Sequence, residues 1–374
     1  MKQVRKRQIT VLLAAVLFGI VLYFLNRIDR TPLYDDQGRS FEKAVVLEVV
    51  QDNVQESGQY VGQQTVRLVL KSGDRKGHTV EAKSSSSYLY GAHCVPGMKV
   101  IAAVNESGDN LYVTVYSIDR SGQLALIAAM FLLIIWALGG KQGLNSALGL
   151  IFTFICIIWM FIPLIYRGVS PIAASILVAV ITTVVTMYLI GGVTTKTAAS
   201  ITGTVTGVII SGVLAFAFGR FTKISGYNVS DIEQLEYVAQ MTDVKIGELL
   251  YAGILISALG AIMDVSMSVS SSIHEIALRA PGLDRRELFL SGIRVGRDMM
   301  GTMSNTLILA FTGTSINMLV SYGYSANQII NMYSIGIEII QGVSATMGVI
   351  LTVPVSSYIN AVLLTSKTAR NLIL

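Results

Sequence analysis

Residues 260–276 read GAIMDVSMSVSSSIHEI, and they follow directly on LLYAGILISAL at 249–259. The first eleven residues are apolar enough to lie in a bilayer, yet the segment then carries Asp264 and a ladder of serines. A charge at the centre of a membrane helix costs roughly 2.5–3.5 kcal/mol on insertion scales, so something must offset it. Asp264, Ser268, Ser271 and Glu275 are spaced by four, three and four residues, which places them on one face of a helix. The helix is therefore expected to turn a polar stripe toward other protein or water.

Bulk composition agrees with a membrane environment. Of 374 residues, 52% are hydrophobic and 14% charged, with a mean hydropathy of +0.61. A soluble domain carries about a quarter charged residues. About eight apolar segments reach the length of roughly 20 residues that a bilayer requires. They fall near 8–25, 122–139, 144–165, 171–191, 197–218, 246–268, 301–322 and 332–353. The last is expected to continue past Pro354 as a kinked helix through VSSYINAVLL. The first, after MKQVRKR, has no small-residue cleavage pattern behind it and is expected to be a retained anchor. Residues 277–297 are expected to form a short amphipathic cytoplasmic helix between the sixth and seventh spans.

Basic residues set the orientation. Lys2, Arg5, Lys6, Arg7, Lys141, Lys196, Arg279, Arg285, Arg286, Arg294, Arg297, Lys367 and Arg370 all fall on one side if the termini are inside. Both termini are thus expected in the cytoplasm, in a bacterial plasma membrane.

Residues 30–119 differ in character. KAVVLEVV, QQTVRLVLKSG, GHTVEAKSS, PGMKVIAAV and NLYVTVYSI are β-rich runs separated by Gly, Ser, Asn and Asp. Five short strands suit a small closed barrel of the oligonucleotide/oligosaccharide-binding type, placed outside the cell. The last two runs read as a hairpin through Gly108, Asp109 and Asn110. The expected fold class is an α-helical polytopic membrane protein with an OB-like extracytoplasmic all-β domain. Its parts are an anchor (1–29), a β domain (30–119) and a membrane domain of about seven helices (120–374).

Two further helices carry polar faces. Asp298, Gly301, Thr302, Asn305 and Thr312 share one in GRDMMGTMSNTLILAFTGTS, and Glu338, Gln341, Gly342 and Ala345 share one in IEIIQGVSATMGVI. Gly203, Gly207 and Ser211, four residues apart, read as a packing face. The serines of 266–272 read the same way, while Asp298, His274 and Glu275 suit the cytoplasmic headgroup region. Asp264 and Glu338 lie deeper. Desolvation favours the protonated form of a carboxylic acid, so intramembrane carboxylates are natural proton carriers. A relay through Asp264, Asn305, Glu338 and Asp298 is expected, supported by Ser268, Ser271, Glu275 and Thr302.

GAIMDVSMSVSSSIHEI, GRDMMGTMSNTLILAF and IEIIQGVSATMGVILTVPVSSYI resemble the YibE/F family of bacterial multi-pass membrane proteins, over roughly the C-terminal two-thirds of the chain. The N-terminal anchor and outer β domain also suit that family. The resemblance implies a multi-pass membrane protein of suspected transport function. A weaker similarity links the Asp-bearing helix to the SecD/SecF and RND proton-driven transporters. The chain departs from these in its small outer domain, its larger number of preceding spans and a basic segment reduced to Arg294 and Arg297.

The leading expectation is a proton-coupled secondary transporter or transport component acting on a small solute or ion. The alternative is an accessory scaffold whose β domain binds an envelope partner. No Gly-x-Ser-x-Gly elbow, His-Glu-x-x-His, Gly-x-Gly-Asp or nucleotide-phosphate loop is present, so no enzyme activity is expected. His78, His93 and Cys94 lack a repeated ligand spacing, and Cys94 and Cys156 lie in segments of different character. No metal, cofactor, disulfide or nucleic-acid partner is expected.

Overall fold

The computed structural model describes residues 2–28, 39–55, 60–85, 91–107, 110–230, 232–316, 320 and 324–365. Lys367 and Arg370, assigned above to the inner side, and Gly108 and Asp109 of the expected hairpin turn lie outside the described residues. The chain divides into two compact units, Pro32–Ile134 and the combination of Met1–Thr31 with Ile135–Leu374.

In the smaller unit, all five β-rich runs form strands: β1 (Arg39–Gln51), β2 (Gln63–Leu70), β3 (Thr79–Ser85), β4 (Lys99–Ser107) and β5 (Asn110–Ile118). They close in the order β1-β2-β3-β5-β4. Every neighbouring pair is antiparallel except β3 and β5, which run parallel. Alternation along β2 buries Val66, Leu68 and Leu70, which meet Val46, Val100, Val113 and Val115 inside. Gln64 is the polar exception. Its fully buried amide receives the Cys94 N–H at 2.7 Å and donates to the Cys94 carbonyl and Asp52, so burial leaves it satisfied. The Gln64 hydrogen bond holds the Asp52 carboxyl below its usual value, while burial raises the Cys94 thiol.

The larger unit begins with α1 (Lys2–Leu25), whose apolar part is Ala15–Leu25. Phe18 packs on Phe152, and Asn26 donates to the Trp159 carbonyl at 2.8 Å. Next comes α2 (Ser121–Cys156), which begins in the barrel unit and continues through a π-turn at Ile157–Phe161 into α3 (Ile162–Tyr166). This 46-residue stretch breaks at Gly140 (φ 53°, ψ −130°), a left-handed conformation that glycine adopts readily. Gly143 consequently lies against the Ile135 carbonyl, whereas in a straight helix residues eight apart are separated by about 12 Å along the axis. The break separates the two apolar segments expected at 122–139 and 144–165.

The remaining helices are α4 (Pro171–Gly191), α5 (Thr195–Thr222), α6 (Ile232–Met241), α7 (Ile246–Arg279), α8 (Arg285–Thr314), α9 (Ala326–Ile330) and α10 (Tyr333–Thr365). Their starts follow from capping. Ser170 and Thr194 accept from the third residue beyond them, and Asp284 and Glu287 form a reciprocal capping box at the head of α8. α10 runs through Pro354, as expected.

Among the described residues, five helical stretches are long and apolar enough to cross a membrane: Ser121–Tyr166, α4, α5, α7 and α10. The expected division into an amphipathic helix at 277–297 and a separate seventh helix at 301–322 is corrected. Residues 280–284 form the turn, and a single helix, α8, runs from Arg285 to Thr314, too polar in composition to be counted with the five. It lies antiparallel along α10 nonetheless. Gly292 meets Ser357, Gly296 meets Val353, Phe311 approaches Gly342, and Thr314 bonds Glu338. Leu177, Val213 and Leu351, on three of the span-length helices, expose large apolar side chains, as a lipid-facing surface requires.

Candidate functional site

Two polar regions of opposite character occupy the helical unit. The first is a seam where α5, α7 and α10 meet. Ser266 donates to the Ser200 carbonyl, and its hydroxyl lies 2.9 Å from that of Ser356. Asn360 donates to Ser270 at 2.8 Å, and Ser211 donates to the Ser344 carbonyl at 3.1 Å. Gly203 and Gly207 allow this approach: a β-carbon at Gly203 would overlap Ser356 and Ser266, and one at Gly207 would overlap Thr352. Leu255, Ile262, Val265, Val349 and Val353 pack around the same helices. Among the described residues the seam contains hydroxyls, an amide and glycines but no titratable side chain. It matches the packing role expected for Gly203, Gly207 and Ser211.

The second region faces outward. Gly253, Ser257, Gly260 and Asp264 follow one another along α7 at four-, three- and four-residue steps, and all four are exposed. The positions a β-carbon would occupy at Gly253 and Gly260 are open space. Asp264 makes no hydrogen bond or ion pair among the described residues. Ser268 and Ser271 continue its face half-buried, and Glu275 is exposed and paired to Arg279 at 2.7 Å.

On α8 the structure corrects a central expectation. Leu307 is buried and Met300, Met303 and Phe311 pack inward beside it, so Asp298, Gly301, Thr302, Asn305 and Thr312 point away from the bundle and are exposed. The polar face does not meet those of α7 and α10 inside. Thr302 returns its hydroxyl to its own helix, at the Met299 carbonyl. The physical reason is volume: the methionine and leucine face of α8 covers more apolar surface against α10 than the threonine and asparagine face would.

Glu338 is half-buried. One oxygen accepts from Thr314 at 2.7 Å, and the other is enclosed without a partner among the described residues. Three residues further along α10, Gln341 donates to Ser257 of α7 at 3.2 Å. Depths follow from these contacts, since α7 and α10 run parallel. Glu338 and Asp264 are roughly 15–24 Å apart along the helix axes, from the α7–α10 contacts and a rise of about 1.5 Å per residue. Asp298 lies within about one turn of the depth of Asp264, and Asn305 lies between the two carboxylates in depth. Of the expected relay residues, the structure brings none into direct contact with another.

The sequence reading passed over Ser344, Thr352, Ser356 and Asn360, which build one wall of the seam. With Gly348 they form a strict four-residue repeat of small or polar side chains on α10, the signal that marks them. In the barrel, His93 stacks on Tyr60 at 4.5 Å and His78 bonds the Arg75 carbonyl. Among the described residues, no group of three His, Cys, Asp or Glu side chains lies close enough to hold a metal ion.

Span-length apolar helices with an unpartnered carboxylate on one of them, together with a five-stranded barrel, define an α-helical integral membrane protein with an appended β unit. Residues 127–366 match the family model described as YibE/F-like protein, and the chain belongs to that family. No curated protein and no solved structure matches the chain.

Proposed function

We propose that the chain is a proton-coupled transporter, or the proton-coupled part of a transport assembly, for a small solute or ion in the bacterial plasma membrane. It crosses the membrane eight times, through α1, the two arms on either side of Gly140, α4, α5, α7, α8 and α10. Both termini are cytoplasmic and the barrel is extracytoplasmic. Asp264 carries the proton, Glu338 is a second carboxylate nearer the outer side, and Asp298, Thr302 and Asn305 offer polar groups along α8. The chain performs no covalent chemistry.

The observation that supports this reading is Asp264, exposed and without a partner among the described residues, on an apolar span-length helix beside open glycine positions. Ionised, it disfavours contact with hydrocarbon by roughly 2.5–3.5 kcal/mol, a penalty that protonation largely removes. One proton therefore biases an equilibrium between a water-facing and an apolar-facing arrangement of this surface by roughly two orders of magnitude. The path runs along the outward faces, because the seam is filled and holds no titratable group.

The test is pH-difference infrared spectroscopy of purified protein in lipid, comparing wild type with Asp264→Asn. A protonated-carboxyl band that responds to pH and disappears in the variant is expected. Identical spectra would remove Asp264 from proton handling. A second reading, an accessory scaffold, is favoured by the exposed polar face of α8, which another membrane protein would cover. It predicts that deleting residues 30–119 abolishes function while Asp264→Asn leaves it intact.

A further inference from the structure

The rim of the barrel where the chain leaves β5 and enters α2 forms a groove of about 650 Å³. Its lining includes Lys43, Lys71 and Lys99, one acidic residue, Asp119, and Ser121, Gln123 and Leu126 of α2. All belong to the smaller unit. The strands bring the three lysines together: Val45 is paired with Lys99 across β1 and β4, and the Lys71 N–H donates to the Lys43 carbonyl.

The charges do not cancel. Lys43 lies 3.9 Å from Asp119 and 3.4 Å from the Ser121 hydroxyl. Asp119 is occupied as the cap of α2, accepting from both the backbone N–H and the hydroxyl of Ser121. The ammonium groups of Lys71 and Lys99 have no ion-pair partner among the described residues. The groove thus holds an excess of two positive charges. Its α2 side is Ser121, Gly122, Gln123 and Leu126; Leu126 is 62% exposed, and Leu124 and Ile127, next to it in sequence, are also exposed. Those residues begin the first span-length stretch, so the groove sits at the polar end of a helix built to enter a bilayer.

We infer that this groove binds a phosphate-bearing anion, with the phosphate between Lys71 and Lys99 and any attached acyl chain along Leu126. A lipid headgroup and a free phosphate share this chemistry. Leu126 distinguishes them, since only a lipid uses the lysines and this exposed apolar side chain at once. The inference is independent of proton coupling through Asp264.

Full-length protein in nanodiscs of phosphatidylcholine with a minority of phosphatidylglycerol provides the test, with retained phosphatidylglycerol counted by native mass spectrometry. Lys71→Gln/Lys99→Gln is compared with Lys76→Gln/Lys83→Gln, which removes the same charge elsewhere on the barrel. The groove variant should retain phosphatidylglycerol roughly thirtyfold more weakly, about fivefold for each ammonium removed, while the control variant matches wild type. Equal losses in the two variants would overturn the site, because general surface charge would then account for retention. In pure phosphatidylcholine nanodiscs, inorganic phosphate is titrated against a fluorine label at Gln123→Cys. Saturable binding there that is lost in the groove variant, without any preference for phosphatidylglycerol, would assign the groove to a free phosphate. Absence of both responses would overturn the proposal, and barrel unfolding followed by circular dichroism verifies that each variant is folded.

Discussion

The seam between α5, α7 and α10 and the outward faces of α7 and α8 are both polar, and both belong to helices packed at the same depth. They differ in what their polar atoms do. In the seam, Ser266, Ser356, Asn360 and Ser270 spend their hydrogen bonds on one another, the Ser344 hydroxyl is buried without a partner among the described residues, and glycines bring the backbones close. On the outward faces, Asp264 and Asp298 are charged or chargeable, exposed and unpaired among the described residues. A satisfied polar group in a membrane bundle is a fastener worth a fraction of a kcal/mol. An unsatisfied one is a cost that selection tolerates where the group acts. Polarity alone therefore does not mark function in these helices; an exposed, unpaired carboxylate does.

Substitutions can break or sharpen this contrast. The largest effect on folding is expected from Gly207→Leu, which would drive a side chain into Thr352 and Ile262. Overpacking of this kind costs about 1–3 kcal/mol, visible as a lower thermal midpoint in detergent. A wild-type midpoint would mean the seam is looser than described. Asn360→Leu removes the donor to Ser270 and should cost about 0.6 kcal/mol, at most about 1.7, in a reversible unfolding assay. Asp264→Asn should leave stability within about 0.5 kcal/mol of wild type, as expected of an exposed position without partners. A large destabilisation would show that Asp264 is a structural group and would place it with the seam.

The smallest effect lies in the barrel unit, at the start of α2. Hydrogen bonds from the Ser121 hydroxyl and N–H hold the Asp119 carboxyl below its usual value of 3.8, with Lys43 and Lys99 assisting. A depressed carboxylate stabilises the folded state fully above its unfolded value and loses that contribution as pH falls through the folded value. Fraying at Ser121 should therefore appear only below about pH 3.8, measured by amide exchange, and Asp119→Ala should remove the pH dependence. Fraying that sets in near neutral pH would contradict the cap.

Much of this molecule is legible from its residues. The five strands are written in period-two runs with glycine and asparagine punctuation, and each run became a strand. Four-residue spacing of Gly203, Gly207 and Ser211 named the packing face of α5 before any neighbour was known. What a helix cannot declare is who stands opposite. Asp298, Thr302 and Asn305 share a face by spacing alone, but whether it turns inward depends on the competing face of Met300, Met303, Leu307 and Phe311. That face buries more apolar surface and prevails. The continuity of α8 was likewise hidden, because Arg285–Arg297 reads as a headgroup helix until Gly292 and Gly296 are seen against Ser357 and Val353. Ser356 and Asn360 drew no notice because each is ordinary alone and only their four-residue repeat is informative.

The central claim is that the outward faces meet water while the seam does not. Single cysteines at Gly260, Ser268, Thr302 and Asn305, and at Ser266 and Thr352, can be introduced after Cys94 and Cys156 are replaced by serine. Each is then reacted with a charged thiol reagent in native membranes. The account predicts rapid labelling at the first four positions and none at the two seam positions. Labelling confined to Ser266 and Thr352 would contradict it and move the search for a pathway into the seam.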